Sequence, residues 1–139
     1  MKHLLALIIV CLLISCKGKP KEVSIKDLSG YWQIENVILK DGTKRDFVLS
    51  NTIDFIEVIG DTNGVRKKVA PKLDGTFTTS KSAETFSIKI ENDSVNLYYK
   101  TPFNSWKETI VSLTDSTLIV INKDANRYSY KRFKSFTFE

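Results

Sequence analysis

The sequence predicts an all-β domain, an antiparallel, up-and-down, eight-stranded β-barrel that follows one short N-terminal helical turn. Three observations predict it. From Gly30 onward apolar residues recur at every second position, clusters of Asn, Asp, Gly and Ser interrupt them roughly every eight to twelve residues, and the connections are short. Runs of that kind each bury one face and join their neighbours in a meander.

Ahead of the domain, Lys2 and His3 precede an apolar run over residues 4–14. As a helix the run is about 16 Å long, against a hydrocarbon core of about 30 Å, so residues 1–15 read as a signal peptide and not as a membrane-spanning anchor. The run ends in Leu13, Ile14, Ser15 and Cys16, which resembles the lipobox of bacterial lipoprotein signal peptides. That resemblance implies cleavage after Ser15 and diacylglyceryl attachment to the Cys16 thiol, and acyl chains there would hold the protein at a membrane. Residues 16–23 form a lipid-anchored tether in which Lys17, Lys19 and Lys21 surround Gly18 and Pro20, a composition that buries no apolar area. It is either a plain spacer or a source of attraction to anionic lipid, worth about 1 kcal/mol per cation near the surface. Lys17 does not resemble the aspartate that signals inner-membrane retention in enterobacteria. The expected location is therefore a Gram-negative cell envelope, with the outer membrane as default.

The barrel domain is expected over residues 24–139. Ser24 and Asp27 resemble a capping box and start the helical turn. Strands follow over 31–39, 52–59, 65–70 and 76–79, divided by Asp41 and Gly42, by residues 60–64, and by Asp74 and Gly75. Phe86, Ile88 and Ile90 alternate with Ser87, Lys89 and Glu91; after a turn at Asn92 and Asp93, Val95, Leu97 and Tyr99 alternate in the same way, which makes a two-residue hairpin. Strands over 106–113, 117–122 and 127–134 complete the set, the last carrying Tyr128, Tyr130 and Arg132 on one face. The longest connection, 40–51, holds Phe47, Val48 and Leu49, read either as a lid over the barrel mouth or as a small edge strand or plug.

At the first strand, Gly30, Tyr31 and Trp32 follow the helical turn. This is similar to the Gly-X-Trp motif that opens the first strand of lipocalins and their calycin relatives. The resemblance implies an arginine near the last strand lying across the Trp ring and closing the barrel; Arg132 is the first candidate and Arg127 the second. The Thr-Asp-X-Arg signature of many secreted lipocalins is absent. The whole looks more like the small lipocalin-like lipoproteins of Bacteroidetes-type bacteria, for which the resemblance implies a fold and a location. Gly30, Trp32 and Arg132 are read as structural, closing the barrel.

With Trp32 set inward, alternation selects Ile34, Ile38, Phe86, Ile88, Ile90, Val95, Leu97, Tyr99, Tyr128 and Tyr130 as lining. Two interiors are compatible with that list. One, which gives the expected function, is an apolar cavity with a few phenolic hydroxyls, suited to a small hydrophobic ligand such as an acyl chain, a sterol-like molecule or an aromatic metabolite. The other is a filled core, with the protein serving as an envelope interaction or structural protein that contacts a partner. Phe103 and Trp106 at one barrel end either tuck onto the rim or form a partner patch, and Phe136 and Phe138 share a face at the C-terminus.

The chain from Cys16 on has no histidine and one thiol, which excludes His-based triads, His- or Cys-ligated zinc and intramolecular disulfides. Asp54, Glu57, Glu84, Glu91 and Glu108 are scattered, and no Ser-X-X-Lys precedes a helix, so no catalytic residue is expected and the protein reads as non-enzymatic. The stretch 60–64 lacks the repeated carboxylates of a calcium loop, so no metal and no cofactor are expected. The basic run Arg66, Lys67 and Lys68 has no stacking aromatics beside it, which sets nucleic acid aside.

Overall fold

A computed structural model describes residues 24–48 and 50–134 of the 139-residue chain. The lipobox cysteine Cys16, the tether, Leu49, Phe136 and Phe138 lie outside the described residues. A 3-10 turn, η1 (Ile25–Leu28), precedes nine strands: β1 (Gly30–Ile38), β2 (Lys44–Asp46), β3 (Ile53–Ile59), β4 (Asn63–Pro71), β5 (Phe77–Glu91), β6 (Ser94–Lys100), β7 (Ser105–Leu113), β8 (Thr117–Asn122) and β9 (Arg127–Arg132). From β3 to β9 every strand pairs antiparallel with the next, and β1 pairs with both β3 and β9. The eight strands β1 and β3 to β9 thus close into an up-and-down barrel, the expected fold class. The short β2 lies against Asn36–Ile38, the part of β1 that runs beyond β3.

Local chemistry accounts for the elements. Ser24 caps η1, its Oγ accepting from the Lys26 amide at 3.3 Å. Asn92 and Asp93 both adopt positive φ, 49° and 61°, the left-handed pair that a two-residue turn between twisted strands requires and that Asn and Asp tolerate. Gly64 of β4 leaves room for a ring: a Cβ there would stand 2.2 Å from Phe86 Cζ.

Two strand boundaries differ from expectation. The segments 76–79 and 86–90 belong to a single fifteen-residue strand, β5, because no Gly, Pro, Asn or Asp interrupts 77–91. The pairing instead breaks at a bulge opposite Lys67 and Val69, where Ser80 and Ser82 bond to one another. In the 40–51 connection the edge strand is Lys44–Asp46, and Phe47 and Val48 neither cap the mouth nor plug the core: Val48 is 86 % exposed and Phe47 is also exposed.

The core fills the barrel with Leu28, Trp32, Ile56, Phe86, Ile88, Leu97, Tyr99, Leu113, Leu118, Val120 and Tyr130; Ile34, Val95 and Tyr128 pack against it half-buried. Two expected lining residues do not belong to it. A bulge at Glu35, between Ile34 and Asn36, shifts the alternation by one, so Val37 is buried and Ile38 falls outside the core. Ile90 shares a face with Ile88 but sits at the strand end, past the last covering layer, and is 76 % exposed. A second apolar cluster lies outside the barrel, on the opposite face of β1 from Trp32. There the Tyr31 ring stacks on Phe77 at 4.3 Å and meets Phe55 at 4.9 Å, with Phe133 beside Phe77.

Candidate functional site

At the η1 end, the Trp32 indole donates to the Leu28 carbonyl at 2.8 Å and is fully buried. The Arg132 guanidinium lies over its ring at 4.0 Å. Arg132 also donates from Nη1 to Ser29 O and from Nη2 to Asp27 O, both at 2.6 Å, and from Nε to Asp115 O at 2.9 Å. One side chain therefore ties η1, the start of β1 and the β7–β8 turn together. Gly30 makes this possible: its φ is +130°, and a Cβ would stand 2.3 Å from Arg132 Nη1. Arg127 begins β9 at the other end of that strand, exposed and paired with Ile38 and Ile121. These contacts engage all three nitrogens of Arg132 in closing one end of the barrel.

Further up, the interior holds charge that the alternation did not reveal. Arg66 of β4 points inward; its Nε donates to Glu84 Oε2 at 2.6 Å and its Nη1 to Glu108 Oε2 at 3.2 Å. Its guanidinium lies over the Tyr99 ring at 4.3 Å, and Tyr99 stacks on Trp106 at 5.0 Å. Burial alone would lower the Arg66 pKa, but the carboxylates of Glu108 and Glu84 more than reverse that, so the group is held cationic. Burial likewise pushes the phenols of Tyr99 and Tyr130 up, keeping both neutral. Asp54, almost wholly buried, pairs with Lys68 at 2.5 Å. In sequence, Arg66 and Lys68 belong to a basic run and the two glutamates to scattered acids. The register that sets Arg66 opposite Glu84 is not written in spacing.

The space left inside is small. A cavity bounded by Trp32, Asp54, Arg66, Tyr99, Glu108 and Tyr130, among others, measures about 10 Å³, room for roughly one water. Of the expected lining residues, Leu97, Tyr99 and Tyr130 border it, Phe86 and Ile88 pack in the core around it, and Ile34, Val95 and Tyr128 pack at its margins. The larger concavity is outside. At the η1 end a groove of about 540 Å³ runs between Ile25, Ile90, Val95, Ile110, Val111 and Leu113, with Ser112 and Thr114 at its edge. At the opposite end Phe103 is 97 % exposed, whereas Trp106 is half-buried against Tyr99. Among the described residues no three His, Cys, Asp or Glu side chains come together as a metal site, and no helix is long and apolar enough to cross a membrane.

Residues 28–120 match the lipocalin-like domain family. Among solved structures, a lipocalin-like protein from Bacteroides uniformis is 13 % identical, with a TM-score of 0.48 over 77 % of this chain and 99 % of its own. An uncharacterized protein from Bacteroides eggerthii is 11 % identical, with a TM-score of 0.46 over 76 % of this chain and 98 % of its own. No curated protein matches the chain.

Proposed function

We propose, from the premise that the chain belongs to the lipocalin-like domain family, that it is a non-enzymatic, lipid-anchored envelope protein whose barrel is a filled scaffold acting through its outer surface. The observation that carries this reading is the interior volume. About 10 Å³ is available inside, against the roughly 300 to 1,000 Å³ of small-molecule pockets. The place a ligand would occupy is taken by the Arg66 side chain, its two carboxylates and the Tyr99 ring. Anchoring rests on the lipobox at Leu13 to Cys16 and on the tether that follows it.

A second reading keeps a small hydrophobic ligand inside the barrel, and the fold itself favours it, since an eight-stranded barrel can enclose one such molecule. It requires the Arg66 and Glu108 side chains to rearrange together, because moving one leaves the other charged and unpaired in the interior. Native mass spectrometry separates the readings. The protein extracted from its own membranes is compared with a soluble Cys16→Ser chain. The filled-barrel reading expects one added mass, the covalent lipid on Cys16, in the first sample only. A non-covalent mass carried by both would replace it with the cargo reading.

A further inference from the structure

We infer that the groove at the η1 end is a bilayer-contact surface, which seats the barrel with that end on the lipid and the Phe103 end away from it. The inference rests on the lipid-anchored reading and adds an orientation and a contact to it. None of the residues lining the groove carries a charge, and two of them, Ile90 and Val111, are 76 % and 48 % exposed. Ile59, at the β3–β4 turn of the same end, is 54 % exposed. The opposite end exposes Leu73 and Phe103 at separate turns, whereas the apolar residues at the η1 end line one continuous groove, and a contiguous apolar patch marks a contact surface.

The chain itself indicates which contact. The first described residue is Ser24, and its neighbour Ile25 is one wall of the groove. The seven residues 17–23 separate Ser24 from the lipid-bearing Cys16, and the eight Cα–Cα steps between the two can span at most about 28 Å when fully extended. The anchor therefore leaves the domain beside the groove, so of the two ends this one is tethered nearest the bilayer. Charge does not oppose the contact. The exposed acids at this end, Asp27, Asp61, Glu91, Asp93 and Asp115, are offset by Lys26, Lys89 and Lys134 of the domain together with Lys17, Lys19 and Lys21 of the tether. The remaining attraction is burial of apolar side chains at the headgroup boundary, which needs no anionic lipid.

The test reads depth at both ends of β6. The chain starting at Cys16, whose only thiol is Cys16, is coupled to a maleimide phospholipid in phosphatidylcholine vesicles with brominated acyl chains. Tryptophan is introduced by Ile90→Trp at the groove or Phe103→Trp at the far end, and the signal of Trp32 and Trp106 in the parent is subtracted. The expected result is at least twofold quenching for Ile90→Trp and none for Phe103→Trp. Val111→Trp serves as a second groove reporter if Ile90→Trp does not fold.

Equal quenching at both ends, or none at the groove, overturns the inference. So does an unquenched groove reporter in a chain whose soluble Cys16→Ser form has twice the monomer mass, which assigns the groove to a second copy. The anchoring premise is tested separately. Native protein lacking lipid on Cys16 would end that reading while leaving the result with the coupled chain intact.

Discussion

Two arginines in this molecule lie flat on aromatic rings, Arg132 on Trp32 at the closed end and Arg66 on Tyr99 inside the barrel. Arg132 spends its donors on backbone carbonyls and, among the described residues, faces no carboxylate at bonding distance, so it acts as a polar clasp whose charge is partly solvated. Arg66 is bound to two carboxylates from β5 and β7, and its side chain is only 13 % exposed. The same cation-on-ring geometry therefore serves two purposes. One closes an end of the barrel, and the other fills its middle with a charge cluster that cannot be removed piecemeal.

Single substitutions should separate the two. Arg66→Ala leaves Glu84 and Glu108 unpaired and should destabilise by about 3 to 5 kcal/mol, as for breaking a buried ion pair. Replacing all three together, with Arg66→Met, Glu84→Leu and Glu108→Leu, should recover most of that loss. Urea unfolding checks both, and an equally unstable triple variant would show that the cluster's charge is not what Arg66→Ala disturbs. Arg132→Ala should cost less, about 2 kcal/mol, as one cation–π contact and exposed hydrogen bonds are lost. Arg132→Lys should recover little of it, since a point charge cannot reach three carbonyls at once.

Gly30→Ala should cost about 1 to 3 kcal/mol, from the strained φ and from the contact with Arg132. In an Arg132→Ala background its cost should fall, and a thermodynamic cycle with no coupling between the two positions would contradict the account of the clasp. The smallest effect is predicted at Glu91, on the outer surface. Hydrogen bonds from Tyr98, at 2.6 Å, and from Asn96, at 2.9 Å, hold its carboxyl below the ordinary 4.5. A depressed folded-state pKa stabilises above the unfolded value and is lost as pH falls through the folded one. Glu91→Gln should therefore lower stability slightly at pH 7 and make no difference well below pH 4, as read by thermal midpoints at the two pH values.

The contrast between the arginines also explains what could be read in advance. The closed end is local in pattern: Gly30 and Trp32 stand two residues apart after a capped turn, and Arg132 ends the last alternating run. The barrel followed from alternation and turn residues, which depend on near neighbours. The Arg66 cluster joins β4, β5 and β7 through pairings such as Arg66↔Glu84 and Leu97↔Glu108, and a pattern of period two cannot fix register between strands. Bulges set the remaining errors. The one at Glu35 moved Ile38 out of the core and Val37 into it, and the one opposite Lys67 and Val69 let β5 run on through 77–91. Alternation cannot show the groove, because Ile90 and Val95 share the inward face and only their position at the strand ends, past the last covering layer, opens them to solvent.

The filled interior is the central claim, and fluorescent fatty-acid titration tests it most directly. The probe is titrated into the soluble Cys16→Ser chain and into the same chain carrying Ile90→Lys, which disables the outer groove. A filled barrel predicts no saturable binding once Ile90 is replaced. Saturable binding that survives Ile90→Lys would place the ligand within the barrel and contradict the account.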